Sequence, residues 1–264
     1  MPVLDRCALK NNNGLPYLEV PQLAGIDWIR HAFLTRNGGT SPDPFRSLNL
    51  STATGDSEGH VSENKRRIAS AFDFEPDRLM LLRQIHEDRI LILREPFAPP
   101  PSSPEYDGMI AHAPNRFLAI KTADCLPILI VDRTRKVIAA VHAGRQGTAR
   151  HIARKVLKTM ALQFNCSSRD LVIALGPSIG PCCYEIDEKV FLPEWEPFSI
   201  PQERGKWRVD LAGINTAQLR EDGIGEDQII RIDLCTRCHP DLFFSYRGEG
   251  RTGRQLSFIG VIDV

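Results

Sequence analysis

The 264-residue sequence has no net charge, because 33 Lys and Arg residues balance 33 Asp and Glu residues. Proteins that mainly bind nucleic acid or anionic membrane surfaces normally carry a net basic charge, so this balance argues against both kinds of partner. Long hydrophobic runs are also lacking. The longest strongly apolar stretch, Leu126 to Val131, contains a proline and falls far short of the roughly 20 residues of a transmembrane helix.

The N-terminal region lacks the apolar segment of a secretory signal peptide, since its first residues include Asp5, Arg6 and Lys10. The seven cysteines are an odd number, which is untypical of a disulfide framework. Both absences predict a cytoplasmic protein with reduced thiols. Apolar residues make up 42% and charged residues 25%, as in ordinary globular proteins.

Short apolar runs bounded by turn residues predict buried strands. These runs are Phe117–Thr122, Leu126–Val131, Val137–Val141, Leu171–Leu175 and a weaker one at Ile229–Leu234. We expect the first three to form a central meander. The proline-rich segment from Ala98 to Glu105 is interpreted as a surface loop.

Apolar residues at helical spacing predict an amphipathic helix over Thr148–Phe164, whose basic residues form a solvated face. Further helices are predicted over Ser62–Phe72 and from an N-cap at Asp210 to Gly223. Strands interleaved with helices indicate an α/β or α+β fold. We expect a single domain over residues 1–264, with a mixed β-sheet core and flanking helices.

Two histidines and a cysteine each follow an apolar run: His86, Cys125 and His142. They could meet at one edge of a sheet, where two imidazoles and a thiolate suit zinc with a fourth position left for water. Their spacing is not a local metal motif, however. Taken alone, each residue could equally be a buried thiol or a hydrogen-bonded core histidine.

Glycine-containing turns suggest where an anion could bind. His142 is followed by a turn with two glycines and then by a predicted helix, whose N-terminus favours anions. Arg36, Arg145 and Arg247 stand beside such turns and are candidates for binding phosphate or a carboxylate. Asp124, next to Cys125, could be a general base, a partner of the metal ligands or a turn residue. The glycine spacings fit neither a dinucleotide site nor a P-loop, so tight turns are the alternative reading.

Cys235, Cys238 and His239 form the C-x-x-C-H pattern of covalent haem attachment. That chemistry belongs to exported proteins, and the N-terminal region of this sequence does not suggest an export signal. Half of a zinc site is a second interpretation, but the sequence has no second C-x-x-C, and we expect the adjacent Cys182 and Cys183 not to replace one. Packing, or a wall of the substrate site, is the default interpretation.

The sequence resembles the YfiH-type family, whose members have also been called multicopper polyphenol oxidase or laccase-domain proteins. The resemblance extends from about His31 to Gly260. It rests on the segments HAFLTRNGGTS (31–41), SLNLS (47–51), RQIH (83–86), YDGMI (106–110), TADCLPILIVD (122–132), AVHAG (140–144), GPSIGPCCYEI (176–186) and FFSYRGEGRTGRQ (243–255).

The resemblance implies one α/β domain with its site at the edge of a β-sheet core, related in architecture to bacterial toxin deamidase domains. It implies a zinc site of His86, Cys125 and His142. It also implies a purine nucleoside phosphorylase acting on adenosine, inosine, guanosine and methylthioadenosine, with adenosine deaminase activity. The expected partners are a nucleoside and phosphate, with no nucleic acid or membrane.

Phosphate would attack ribose C1′ in phosphorolysis, and activated water would attack purine C6 in deamination. Alternatives are an editing hydrolase of peptidoglycan precursors, a metal-binding protein without turnover, and a copper-dependent polyphenol oxidase. The last is disfavoured, because the chain has only seven histidines and no His-x-His pair. The chain also departs from the family pattern: Arg145 and Gln146 stand where the family has Trp and Arg, and Glu87 replaces the usual glycine. Which arginine holds phosphate is therefore open.

Overall fold

The computed structural model describes residues 7–94 and 105–262. The proposed surface loop at Ala98–Glu105 lies, except for Glu105, outside the described residues. The strands are β1 (Ala8–Asn12), β2 (Leu15–Glu19), β3 (Ile29–Leu34), β4 (Leu79–Leu81), β5 (Ile90–Leu93), β6 (Gly108–Ala111), β7 (Arg116–Thr122), β8 (Leu126–Asp132), β9 (Val137–Ala143), β10 (Leu171–Leu175), β11 (Glu185–Asp187), β12 (Ser199–Gln202), β13 (Lys206–Val209), β14 (Ile229–Arg231) and β15 (Gln255–Val261).

The α-helices are α1 (Pro21–Ala24), α2 (Glu58–Ala71), α3 (Arg145–Ala149), α4 (Ile152–Phe164), α5 (Leu211–Glu221) and α6 (Tyr246–Glu249). Short 3₁₀ turns lie at Thr52–Thr54, Pro76–Arg78, Ser168–Asp170, Glu188–Val190, Pro193–Phe198 and Glu226–Gln228. None of the helices in the described part of the chain is both long and apolar enough to cross a bilayer.

Two six-stranded mixed sheets form the centre of the molecule. The first has the order β1-β2-β3-β15-β7-β4 and the second has the order β14-β10-β8-β9-β6-β5. Most neighbouring strands are antiparallel, but β4 and β7, β5 and β6, and β10 and β14 pair in parallel. A third, three-stranded sheet is ordered β11-β13-β12. The expected mixed α/β architecture is confirmed.

The core lies in layers, because the two large sheets pack face to face. Leu118 and Ile120 of β7 meet Leu129 and Val131 of β8 in one apolar cluster between the sheets. The other face of the second sheet packs against α4, and the other face of the first sheet packs against α2. Strands covered on both faces read as continuous apolar runs instead of alternating ones, and every residue of β8 is buried.

The expected meander of three strands is wrong in one respect. β8 and β9 pair antiparallel, but β7 belongs to the other sheet, between β15 and β4. The chain crosses from one sheet to the other through residues 123–125. Strand periodicity does not reveal this crossing, because β7 and β8 are both buried on two sides. The crossing places Cys125 where the sheets meet.

The long helix predicted at Thr148–Phe164 is also divided. α3 begins directly after Gly144, and the chain breaks at His151, whose φ of 58° is left-handed, before α4 begins. The apolar face predicted for this segment is confirmed in α4. Asp210 caps α5 as expected by accepting the backbone N–H of Gly213 at 2.9 Å. The predicted Ile229–Leu234 strand is limited to β14, and α2 begins earlier than predicted because Ser57 is its N-cap.

Candidate metal centre

His86, Cys125 and His142 meet at the junction of the two sheets. One ligand atom from each lies within 4.8 Å of the others, and the two imidazole ring centres are 4.8 Å apart. The pairing of Leu126 with Ala143 between β8 and β9 brings Cys125 beside the end of His142's strand. The sequence-based expectation that these three residues converge agrees with this placement.

Asp107, at the start of β6, is fully buried and holds both histidines. Its Oδ1 lies 2.7 Å from Nδ1 of His142, so a proton on Nδ1 leaves the Nε2 lone pair free. The same carboxylate accepts the backbone N–H groups of Ile85, His86 and Glu87 at 2.9–3.2 Å. These bonds stabilise the backbone of His86 at a positive φ of 60°.

Gly144 gives the three side chains room to meet. A Cβ at this position would lie 3.0 Å from Sγ of Cys125 and 3.3 Å from Nδ1 of His86. Any larger residue would therefore press on two of the three side chains. The local sequence His-Ala-Gly serves the site by this close approach of backbone to ligands.

The electrostatics favour an ionised Cys125. Burial alone raises the pKa of its thiol, but the charge and hydrogen bonds of His142 and His86 outweigh burial and lower that pKa to about 6. Burial lowers the pKa of His142, whereas the Cys125 thiolate and Asp107 raise it to about 9. The buried Cys125 thiolate thus attracts positive charge, and a metal ion can take the place of the proton on the His142 imidazole. Two imidazoles and a thiolate are a donor set that fits zinc.

The three residues border a cavity of about 510 Å³, within the range of small-molecule sites. Five cationic side chains share its wall: Arg83, Lys121, Arg145, Arg247 and Arg254. Apolar and aromatic side chains form another part: Ile179, Tyr184, Leu211 and Tyr246. The cavity therefore combines a metal-ligating group, a cationic wall and an aromatic wall.

Part of the cationic wall has no ion-pair partner among the described residues, although Arg83 pairs with Glu105 at 2.9 Å. Burial lowers the pKa of Lys121, and the charge of Arg254 lowers it further. Within the described residues, neither Lys121 nor Arg145 has a carboxylate in an ion pair. Clustered cations without counter-charges favour an anionic ligand.

The arginines singled out from sequence separate into two groups. Arg145 and Arg247 line the cavity. The expectation that Arg36 would bind phosphate there needs correction, because Arg36 is not among the lining residues. Its guanidinium pairs with Glu249, donates to the carbonyl oxygen of Pro240 and stacks over Phe244. Arg36 therefore holds the turn over residues 36–47 against the segment 240–244 and against α6.

Asp124 lines the cavity, but both of its oxygens are engaged. Oδ1 accepts the Thr236 hydroxyl at 2.6 Å, and Oδ2 accepts the backbone N–H of Arg247 at 2.7 Å. Its φ of 94° is held by these contacts. The sequence left several roles open for Asp124. This geometry favours a role in positioning the turn that carries Cys125, and it disfavours the role of a general base.

Sequence reasoning missed Asp107, Lys121 and Arg254. Asp107 and Lys121 have a weak signal in common, since each is a charged residue at one end of an apolar strand. Arg254 precedes β15 in the same way. That signal is frequent at strand ends in general, and only the pairing of the strands shows which of these residues face one site.

A second cluster contradicts the expectation that adjacent cysteines could not complete the C-x-x-C motif. Sγ atoms of Cys182, Cys183, Cys235 and Cys238 all lie within 4.8 Å of one another. The turn after β10 and the loop after β14 bring them together, as the bridge between Ser178 and Cys235 indicates. Sequence spacing alone could not reveal this, since the two pairs are over 50 residues apart.

The chain is similar in sequence and in structure to known proteins. A family described as multi-copper polyphenol oxidoreductase laccase matches residues 30–262. The Bacillus subtilis protein named purine nucleoside phosphorylase YlmD is 31% identical over 243 residues, which cover 87% of each chain. A Deinococcus radiodurans protein named purine nucleoside phosphorylase is 35% identical over 257 residues, 94% of each chain. The crystal structure of the Bacillus licheniformis hypothetical protein YfiH matches with a TM-score of 0.90 at 30% identity, covering 97% of this chain and 99% of that one. These findings confirm the resemblance seen in the sequence.

Proposed function

Because the chain belongs to the multi-copper polyphenol oxidoreductase laccase family, which includes the YfiH-type proteins, we propose that it is a zinc-dependent purine nucleoside phosphorylase. One observation carries the proposal. His86, Cys125 and His142 border the same cavity as five cationic side chains. A metal-ligating group beside an anion-binding wall suits a reaction between a nucleoside and phosphate.

Zinc fits the donor set better than the copper centres of the family's descriptive name. Only two of the chain's seven histidines belong to the cluster, whereas multicopper centres draw on many histidines. When bound, zinc acts as a Lewis acid and lowers the pKa of a bound water toward about 7. Asp107 orients His142 for such an ion by accepting a hydrogen bond from its Nδ1–H group.

The cationic wall binds phosphate in this proposal. Phosphate oxygen forms a bond to ribose C1′ while the bond from C1′ to the purine nitrogen breaks, and the purine nitrogen keeps the electron pair and takes up a proton. Lys121 and Arg145, which form no ion pair with a carboxylate among the described residues, hold the phosphate and offset the charge of the transition state. If the family's arginine one residue later holds phosphate, Arg145 takes over that role in this chain.

The aromatic wall binds the purine. Tyr184 is almost fully buried and borders the cavity with Ile179 and Leu211, which gives a flat apolar surface for a base. This surface does not distinguish one purine from another by hydrogen bonds. We therefore propose the broad range of adenosine, inosine, guanosine and methylthioadenosine. Adenosine deaminase is proposed as a second activity, in which water attacks C6 of adenine and ammonia leaves.

Asp124 is assigned a positioning role and not that of a base. Its carboxylate joins Thr236 to the backbone of Arg247 and thereby fixes the turn that carries Cys125. We also propose a cytoplasmic location for a single catalytic domain. The odd number of cysteines supports a reducing compartment, because disulfide frameworks of exported proteins normally pair their cysteines.

The test is a nucleoside panel assayed with and without phosphate, together with metal analysis. We expect phosphate-dependent release of hypoxanthine from inosine, and ammonia release from adenosine without phosphate. Cys125→Ala should lose metal from this centre and both activities, whereas the matched control Cys166→Ala should keep them. Full phosphate-dependent activity in Cys125→Ala would overturn the assignment. So would hydrolysis of amide-linked muropeptide precursors with no nucleoside turnover.

A further inference from the structure

Four cysteines outside the proposed catalytic centre form a second sulfur cluster. Cys182 and Cys183 lie in the turn that follows β10, and Cys235 and Cys238 lie in the loop that follows β14. Sγ of Cys238 is 3.6 Å from Sγ of Cys182 and 3.4 Å from Sγ of Cys183. All four sulfurs lie within 4.8 Å of one another, so the cluster is compact and not a chain of separate contacts.

The spacing of the sulfurs matches a tetrahedral metal site. With Zn–S bonds of about 2.3 Å, the edge of a sulfur tetrahedron is about 3.8 Å. The two measured distances are close to that value and far above the roughly 2.05 Å of a disulfide bond. Since all four sulfurs lie within 4.8 Å of one another, changes of up to about 1 Å in the sulfur–sulfur distances would place one cation in contact with all four.

The backbone around Cys235 is arranged to stabilise a thiolate. Burial by itself raises the pKa of the Cys235 thiol, but the nearby backbone amides of Gly180 and Cys238 and the sulfurs of Cys182 and Cys238 lower that pKa overall. Gly180 approaches closely, since a Cβ there would lie 3.3 Å from Cβ of Cys235. The donors come from both loops, as in a preformed ligand cradle.

Four sulfurs this close together repel one another once they are ionised, and a divalent cation that binds among them offsets that repulsion. Burial raises the pKa of Cys182, and it raises that of Cys183 to about 11. His239 does not compete as a ligand through Nδ1, which lies 3.0 Å from the carbonyl oxygen of Cys235.

We propose that Cys182, Cys183, Cys235 and Cys238 form a second, four-thiolate zinc site with a structural role. Four sulfur ligands leave no position for water, which is typical of structural and not of catalytic zinc. Soft thiolates favour zinc over magnesium or calcium.

The site would act on the catalytic cavity through Thr236, which lies between two of the cysteines. The Thr236 hydroxyl donates to Asp124, and its backbone N–H donates to the carbonyl oxygen of Ser178. The metal would join two loops, and each of them is followed by a residue that lines the cavity. Tyr184 follows the first cysteine pair, and Arg247 follows the second. The bound ion therefore stabilises the turn that carries Cys125 without touching it.

Metal content and cobalt spectra test the proposal. Fully reduced protein reconstituted with zinc should bind about two ions per chain, one for each cysteine-containing group. Cys238→Ser should bind about one ion and keep the cobalt spectrum of the His86 centre. Cys125→Ser should also bind about one, but with the more intense thiolate-to-cobalt charge transfer of four sulfurs. The matched control, Cys166→Ser, should bind as many ions as the unchanged protein.

A second measurement uses the unaltered protein and does not depend on how variants fold. Cys182, Cys183 and Cys238 should be protected from iodoacetamide when zinc is bound and modified when a strong chelator removes it, as read by peptide mass. A single zinc per reduced chain that is lost in Cys125→Ser and kept in Cys238→Ser, or equal modification of these thiols with and without zinc, would overturn the proposal. Neither result would affect the proposed catalysis at the His86 centre.

Discussion

The buried carboxylate of Asp107 lies 2.7 Å from Nδ1 of His142 and also accepts the backbone N–H of His86 at 3.0 Å. One side chain directly before β6 thus fixes the ring of one candidate ligand histidine and the backbone of the other. The two histidines are 56 positions apart in the sequence, and they belong to different sheets or their connections. Alignment of the site therefore depends on a residue that does not itself belong to the ligand set.

Replacing that carboxylate with an amide, Asp107→Asn, should weaken metal binding about 10- to 100-fold, the usual effect of losing a carboxylate partner of a ligating histidine. The amide has no negative charge to hold the Nδ1 proton, and it replaces one acceptor oxygen with a donor. Competition with a chelator of known affinity measures the change. Asp187→Asn, on the exposed part of β11, is the control and should leave the affinity unaltered. Equal affinities for the two variants would show that Asp107 does not orient the ligands.

Stability should depend on pH through His31, on β3. Burial lowers the pKa of His31 from 6.5 to about 4, and Nε2 of its neutral ring accepts the backbone N–H of Val20 at 2.9 Å. Between these pH values the unfolded chain binds a proton that the folded chain does not. His31 therefore contributes stability that is complete above pH 6.5 and lost as the pH falls toward 4, up to about 3 kcal/mol.

Urea unfolding at several pH values from 7.5 to about 4 measures this contribution. His31→Gln should lower stability at neutral pH but lose less of it on acidification than the unaltered chain does. The exposed His112 provides a matched control, and His112→Gln should keep the original pH slope. If His31→Gln showed the same slope as well, protonation of His31 would not be coupled to unfolding.

Local sequence patterns predicted elements well where local forces decide them. The β10 strand matches Leu171–Leu175 at both ends, since an apolar run is bounded there by a turn and by Gly176-Pro177. Asp210 caps its helix because an aspartate side chain competes well for the first free N–H groups. By contrast, the division of α3 from α4 left the apolar periodicity intact, so nothing in the pattern indicated the left-handed His151.

The pairing of strands that are distant in sequence determines the features that the local sequence pattern could not predict. The convergence of His86, Cys125 and His142 could be expected because each follows an apolar run, and strand ends gather at sheet edges. The assignment of β7 to the other sheet was not predictable, since its side chains suit either sheet equally. Lys121 lies near the end of that strand and Asp107 directly before β6, so their convergence on the cavity region follows from topology alone. The same holds for the sulfur cluster of Cys182 and Cys235.

The glycine after the His142 strand provides a steric test of the centre. Gly144→Ala should lower metal affinity at least about tenfold, because the new Cβ would press on Sγ of Cys125 and Nδ1 of His86. Calorimetric titration with zinc measures the affinity. Gly59→Ala is the control, since the atom nearest to its Cβ would be Oγ of Ser57 at 4.0 Å, and alanine suits a helix. Unchanged affinity in Gly144→Ala would mean that the three ligands do not close around an ion next to this backbone.

Lys121 provides the sharpest test of the cationic wall. Burial and Arg254 both disfavour its charge, and within residues 7–94 and 105–262 no carboxylate forms an ion pair with it, so a bound phosphate would supply the missing counter-charge. Loss of one charged hydrogen bond costs about 1.5–3 kcal/mol, so Lys121→Met should raise the KM for phosphate about tenfold or more while changing that for inosine little. Lys121→Arg should restore part of the affinity, and the exposed Lys189→Met should have no effect.

The lowered pKa of Lys121 also predicts a pH dependence of phosphate binding. Because Lys121 loses its proton at a lower pH than an ordinary lysine does, phosphate binding should weaken at a lower pH in the unaltered protein than in Lys121→Arg. Calorimetry with phosphate alone measures both effects, and equal phosphate affinity in Lys121→Met and the unaltered protein would remove Lys121 from the anion site.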